Sequence, residues 1–176
     1  MRKLKFIVTL FLSICFFASC SKDNGNNTIR VGNRTFGIKS ALIYYEGYQS
    51  YDDGKYGYAY SVHLSDAADI MNIVEDEDDG DYSFLFSCFI YIPEKSFKGG
   101  FPFRYGEYDE YYIYPELIVK DDWFGFTEGN ISLDSNGSTY TIDFEGTGMS
   151  DDGSSGSKVN LSYSGKAIWI DETVEN

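Results

Sequence analysis

Histidine occurs once in this chain, at His63, and cysteine and proline occur three times each. A single imidazole leaves no room for a multi-histidine metal centre, and no cysteine–histidine spacing of the zinc-site type is present. Cys15 and Cys20 precede the body of the chain, so Cys88 has no disulfide partner within it. Basic residues are scarce. There are 14 Lys+Arg against 28 Asp+Glu, a formal charge of −14. An acidic surface without a basic cluster repels phosphates and argues against nucleic acid as a partner. No glycine-rich phosphate loop and no nucleophile elbow is present. Paired carboxylates carry no information where so many acids are available, so no catalytic residue is assigned. No apolar run approaches the roughly 20 residues that a membrane-crossing helix needs.

Aromatic residues are plentiful, at 18 % of the chain. Such a share argues for a packed core despite the charge. The longest apolar run, Phe6 to Ala18, follows Arg2, Lys3 and Lys5. As a helix it would rise only about 20 Å, short of a hydrocarbon core of about 30 Å. A cationic start, a short apolar stretch and small residues describe a secretory signal. Phe17-Ala18-Ser19-Cys20 closes it. These residues resemble the lipobox of bacterial lipoproteins. The resemblance implies a diacylglyceryl group on the Cys20 thiol, cleavage before Cys20 and acylation of the new amino group. Two or more acyl chains suffice for stable anchoring, where one does not.

The expected organisation is a signal over residues 1–19, a lipidated Cys20 with a polar tether to residue 27, and one domain over 28–176. The first 19 residues hold three of the basic residues and no acid. The remaining 157 residues therefore carry a formal −17, in a length normal for one domain.

Within the domain the dominant period is two, the period of strands. Gly32-Asn33 predicts a tight hairpin between Thr28–Val31 and a second strand running on toward Tyr45. Tyr56, Tyr58, Tyr60, Val62 and Leu64 share one strand face and are expected in the core. Residues 82–92 are apolar on both parities, which predicts a central strand covered on both sides and ended by Pro93. Residues 104–119 read as an extended segment or an edge hairpin broken by Pro115. Ile131 to Trp169 reads as a three-strand antiparallel meander, with one turn at Ser135–Ser138. Ala67–Val74 is the one short helix, with Asp66 as its N-cap. The fold class is all-β: an antiparallel β-sandwich or a flattened β-barrel, with a lipocalin-like meander as one form.

The Cys20 start, the short Ser21-Lys22-Asp23 tether and the Gly-Asn hairpin add to a closing run GNISLDSNGSTYTIDFEGTGM…KVNLSYSGKAIWI. Together they make the chain similar to the small all-β lipoproteins of Bacteroidota. That resemblance implies an outer-membrane-anchored envelope protein, on the periplasmic face or the cell surface. The anchor, the all-β pattern and the aromatic–acidic stretch over residues 101–114 lead to the expectation of a non-enzymatic binding module for a glycan or an envelope protein. A structural part of a membrane complex and a glycan hydrolase are the alternatives.

Two stretches are candidate sites. Tyr108, Asp109, Tyr111 and Trp123, with Glu110 beside them, combine rings that stack on sugars or peptides with carboxylates that accept hydroxyl hydrogens. Glu75, Glu77 and Asp79 put oxygen donors on alternate residues before Gly80, as a weak Ca²⁺ site requires. Phe86 stands where such a loop needs a bidentate Glu. His63 is expected to be a satisfied, half-buried strand residue and Cys88 a small buried hydrophobe.

Replacing Cys20 by Ser is expected to move the protein from the membrane pellet to the soluble fraction and to abolish fatty-acid labelling. Membrane retention of wild-type protein whose Cys20 thiol is bare by mass spectrometry would overturn the anchor.

Overall fold

In the computed structural model, residues 27–52, 54–75, 81–107, 110–120, 122–150 and 156–173 are described. Strand makes up 71 % of them and helix 5 %, so the fold is all-β. Cys20 and its tether to residue 26 lie outside the described residues.

The chain opens with β1 (Thr28–Val31) and β2 (Arg34–Gly37), joined at Gly32-Asn33 with Gly32 at φ 57°. That positive φ is what the hairpin demands of its first turn residue. Ile38 and Lys39 then break the strand, and β3 (Ser40–Asp52) begins afresh. The expected single strand to Tyr45 is therefore two strands at different places in the sheet. Next come β4 (Lys55–Ser65), α1 (Ile70–Glu75) and β5 (Phe84–Ile92). The N-cap of α1 is Asp69, whose carboxylate accepts from Asn72, and not Asp66. Asp66 instead accepts from the backbone N–H groups of Ser83 and Phe84 at the head of β5.

Then follow β6 (Gly99–Arg104), β7 (Tyr112–Val119) and β8 (Asp122–Asn136). The chain ends with β9 (Thr139–Ser150), β10 (Ser157–Gly165) and β11 (Ile168–Asp171). One sheet holds them all, in the order β11-β3-β4-β5-β7-β8-β9-β10-β1-β2, with β6 paired to β8. It curls into a half-barrel. The expected β8-β9-β10 meander is present, turning at Gly137 with φ 63°. Its third strand ends at Gly165, however. The chain then crosses to the far edge, where β11 runs parallel to β3, the one parallel pair among the described strands.

β6 and β7 do not form a hairpin with one another. β8 pairs with β7 through Asp122–Gly125 and with β6 through Glu128–Leu133, so the two share one edge of β8. Pro115 lies just before the β7–β8 ladder begins at Glu116. A residue without an N–H fits there, where β7 has only β5 beside it.

The concave side is filled by rings. Phe144 packs on Phe86 and Phe126, each at 4.9 Å between centroids, and on Phe103 at 5.9 Å. Glycines on β8 and β9 make room: a Cβ on Gly129 would meet the Phe103 ring at 2.7 Å, and one on Gly146 the Phe144 ring at 2.7 Å. β5 buries Phe84, Phe86, Cys88, Ile90 and Ile92 there. Its other parity (Leu85, Ser87, Phe89 and Tyr91) is only half-covered, which corrects the expectation of a strand buried on both faces. Tyr60, Val62 and Leu64 are core as expected, but Tyr56 at the end of that row is 55 % exposed. On the convex side, α1 packs Ile70 against Leu42 and Tyr44 as a small second cluster.

Phe144→Ala is expected to cost about 3–5 kcal/mol of unfolding free energy, because it empties a ring-lined site. Tyr56→Ala is expected to cost less than about 1 kcal/mol. Urea titration of both checks the pair. Equal losses would contradict the placement of the core.

Candidate functional site

Cross-strand register builds a polar surface over β6, β8, β9 and β10. Arg104, Glu128, Thr147 and Lys158 form one row, and Pro102, Asn130, Glu145 and Asn160 form the next. Both rows point away from the buried Ile131, Phe144 and Val159, since neighbours along a strand face opposite ways. These residues line a cleft of about 650 Å³, with Tyr111, Ile113 and Glu107 along its remaining side. That volume lies within the range of small-molecule sites.

Arg104 organises one end. Its guanidinium lies 3.5 Å from Glu107 and 3.7 Å from Glu128. Tyr111 is held by a 2.7 Å hydrogen bond that its hydroxyl donates to the Pro102 carbonyl, and its ring meets Phe101 edge-on at 5.4 Å. The aromatic wall is thereby fixed, while amides, a hydroxyl and charges of both signs face it. Such a surface offers donors and acceptors to a ligand rich in hydroxyls, and a ring to stack on.

The sequence-predicted residues separate. Tyr111 belongs to this cleft. Tyr108 and Asp109 lie outside the described residues. Trp123 does not line the cleft. Its ring covers Gly125, where a Cβ would meet it at 2.7 Å, and Gly125 stands opposite Glu116 on β7. Glu75 accepts a 3.0 Å hydrogen bond from the Tyr44 hydroxyl, so its described role is to tie the end of α1 to β3. Glu77 and Asp79 lie outside the described residues. Among the described residues no group of three or more His, Cys, Asp or Glu is placed to hold a metal.

The charged and amide residues of the cleft escaped the sequence reading. Alternation marks them as the wet face of a meander, and nothing local shows that β6 lies beside β8. Arg104 opposite Glu128 is a contact between residues 24 apart.

His63 points away from the core on β4, opposite in parity to Val62 and Leu64, and only 7 % of it meets solvent. Its Nδ1 is 2.9 Å from the Ser87 hydroxyl, and Tyr44 and Phe89 pack edge-on against its ring. Burial lowers its pKa from 6.5 to about 4. The Ser87–His63 pair resembles half of a nucleophile–base couple. It lies mid-strand, however, in a ladder that uses the neighbouring backbone N–H groups, which an oxyanion hole would need. Burial likewise raises the thiol pKa of Cys88, which keeps it protonated and unreactive.

Comparison with protein-family models, curated proteins and solved structures finds no match to this chain.

Neutral His63 is buried and its folded pKa is depressed, so its contribution to stability is full above pH 6.5. That contribution is lost as the pH falls from 6.5 towards 4, because the unfolded chain takes up the proton first. The loss is on the order of 3 kcal/mol. In His63→Gln the unfolding free energy is expected to fall less steeply across this window. Equal slopes in urea titrations of the two proteins would refute the burial of an uncharged imidazole.

Proposed function

We propose that the chain is a lipid-anchored envelope protein, held at an outer membrane through acylated Cys20, whose β domain binds a glycan without chemically altering it. The supporting observation is the cleft around Tyr111, where one fixed aromatic ring shares the lining with Asn130, Thr147, Asn160 and charges of both signs. Sugars present apolar ring faces and a fringe of hydroxyls, and this pairing of side chains matches both.

The non-catalytic reading draws support from the solvation of the carboxylates. The side chains of Glu107 and Glu128 are each 59 % exposed and share one guanidinium. The proton-donating acid of a glycosidase sits in a dry pocket instead. The anchor complements the cleft. A domain tethered to a membrane by a short polar linker meets envelope or host glycans at high local concentration.

A glycan array probed with the protein is expected to show saturable binding to an oligosaccharide class. Tyr111→Ala should weaken it at least about tenfold, the usual effect of removing a stacking ring. Trp123→Ala should leave it unchanged, since Trp123 stands apart from the cleft. Absence of any glycan ligand, or hydrolysis of a bound one, would sink the reading.

A further inference from the structure

The convex face of β3, β4, β5 and β7 carries a second surface, which shares no residue with the cleft and has a different chemistry; the two meet along β7, where Tyr112 and Tyr114 flank Ile113. Register assembles it in rows. His63, Ser87, Glu116 and Gly125 form one row. Tyr44, Ser61, Phe89 and Tyr114 form the next, and Ala59, Tyr91 and Tyr112 a third. Ring contacts run through the rows without interruption. Phe89 lies 6.5 Å from Tyr114, Tyr114 is 6.2 Å from Tyr112, and Tyr112 is 6.0 Å from Tyr91. Tyr51 completes the series, stacked on Tyr112 at 6.1 Å with the planes 5° apart. Phe89 is 38 % exposed, and the four tyrosines are half-exposed.

Two carboxylates border the rings. Glu46 accepts from the Ser61 hydroxyl and lies near enough to Tyr91 to raise its pKa, after burial. Glu116 lies near enough to the Tyr114 hydroxyl to raise its pKa, after burial. Among the described residues neither carboxylate has an ion-pair partner, and no Lys or Arg occupies a position in these rows. Around the cleft, by contrast, Glu107 and Glu128 share Arg104. The convex face thus presents ring quadrupoles and negative charge together, with the cation missing. A guanidinium satisfies both at once, because it stacks on a ring through its plane and pairs with a carboxylate through its edge.

We propose that this face docks an arginine-bearing segment of a partner protein, its guanidinium groups stacked among Phe89, Tyr91, Tyr112 and Tyr114 and paired with Glu46 and Glu116. The surface is independent of the glycan cleft, so either reading stands if the other fails.

The test uses the full chain in detergent micelles and a fluorescent peptide of alternating arginine and glycine, read by anisotropy. Binding is expected, weaker for the corresponding lysine peptide. Tyr112→Ser and Glu116→Gln should each weaken it about tenfold, the effect of removing a stacking or charged partner. Asp143→Asn, which removes the same charge from an exposed position on β9, should leave it unchanged. Thermal melts of the variants establish that each is folded. In the wild type, bound peptide should protect Tyr91, Tyr112 and Tyr114 from nitration by tetranitromethane, a readout that needs no substitution. Equal weakening by Asp143→Asn would reduce the effect to general charge attraction and overturn the proposal. So would an absence of peptide binding, or protection of these tyrosines by a neutral oligosaccharide and not by the peptide.

Discussion

The sheet curls without closing, and rings reaching across its interior hold the two ends in place. β2 and β11 are the termini of the strand order and do not pair with one another. Phe36 on β2 nevertheless lies 5.8 Å from Phe84 on β5, six places away in that order. Trp169 on β11 stacks on Tyr140 of β9 at 5.7 Å, with the planes 10° apart, and also packs on Tyr45 and Tyr60. A closed barrel joins its last strand to its first through backbone hydrogen bonds. Here aromatic packing takes over much of that task, which explains why a small domain needs so many rings. Backbone bonds from Ile38 to Asn27 and from Lys39 to Ser65 add a narrow seam at the turn into β3.

That curl also divides the outer surface. The meander half shows hydroxyls, amides and charges, because its apolar parity is spent on the core. The β3–β7 half faces outward with tyrosines, because these strands carry rings on both parities. The polar half supports the glycan reading and the aromatic half supports the docking of a cationic segment. One domain thereby offers two chemically distinct surfaces. Neither depends on the reactivity of His63 or Cys88, which burial makes inert.

Much of the fold was legible where the signal was local. Gly32-Asn33 marked its hairpin, alternation marked β8, β9 and β10, and Pro93 marked the end of β5. The departures arose where a distant partner decided the outcome. Asp66 has the right chemistry for a cap, but the N–H groups of Ser83 and Phe84 claim its carboxylate. Ile168–Asp171 shares the parity of β10, yet it pairs with β3, more than 120 residues earlier. Tyr111 and Trp123 looked like one surface because they are close in the chain. The turn between β7 and β8 lies between them, and Trp123 folds back over Gly125 while Tyr111 reaches Pro102.

The amino-acid order alone determined that the chain is made of strands, where most of them turn, and which parity is apolar. Each of these follows from side-chain alternation and from turn residues that tolerate positive φ, both set within a few neighbours. Only the tertiary structure decided which strand lies beside which, and so which polar residues share a cleft and which rings share a face. Those outcomes depend on register between segments far apart in sequence, where every candidate pairing satisfies the same backbone hydrogen bonds and the fit of the interior rings selects among them.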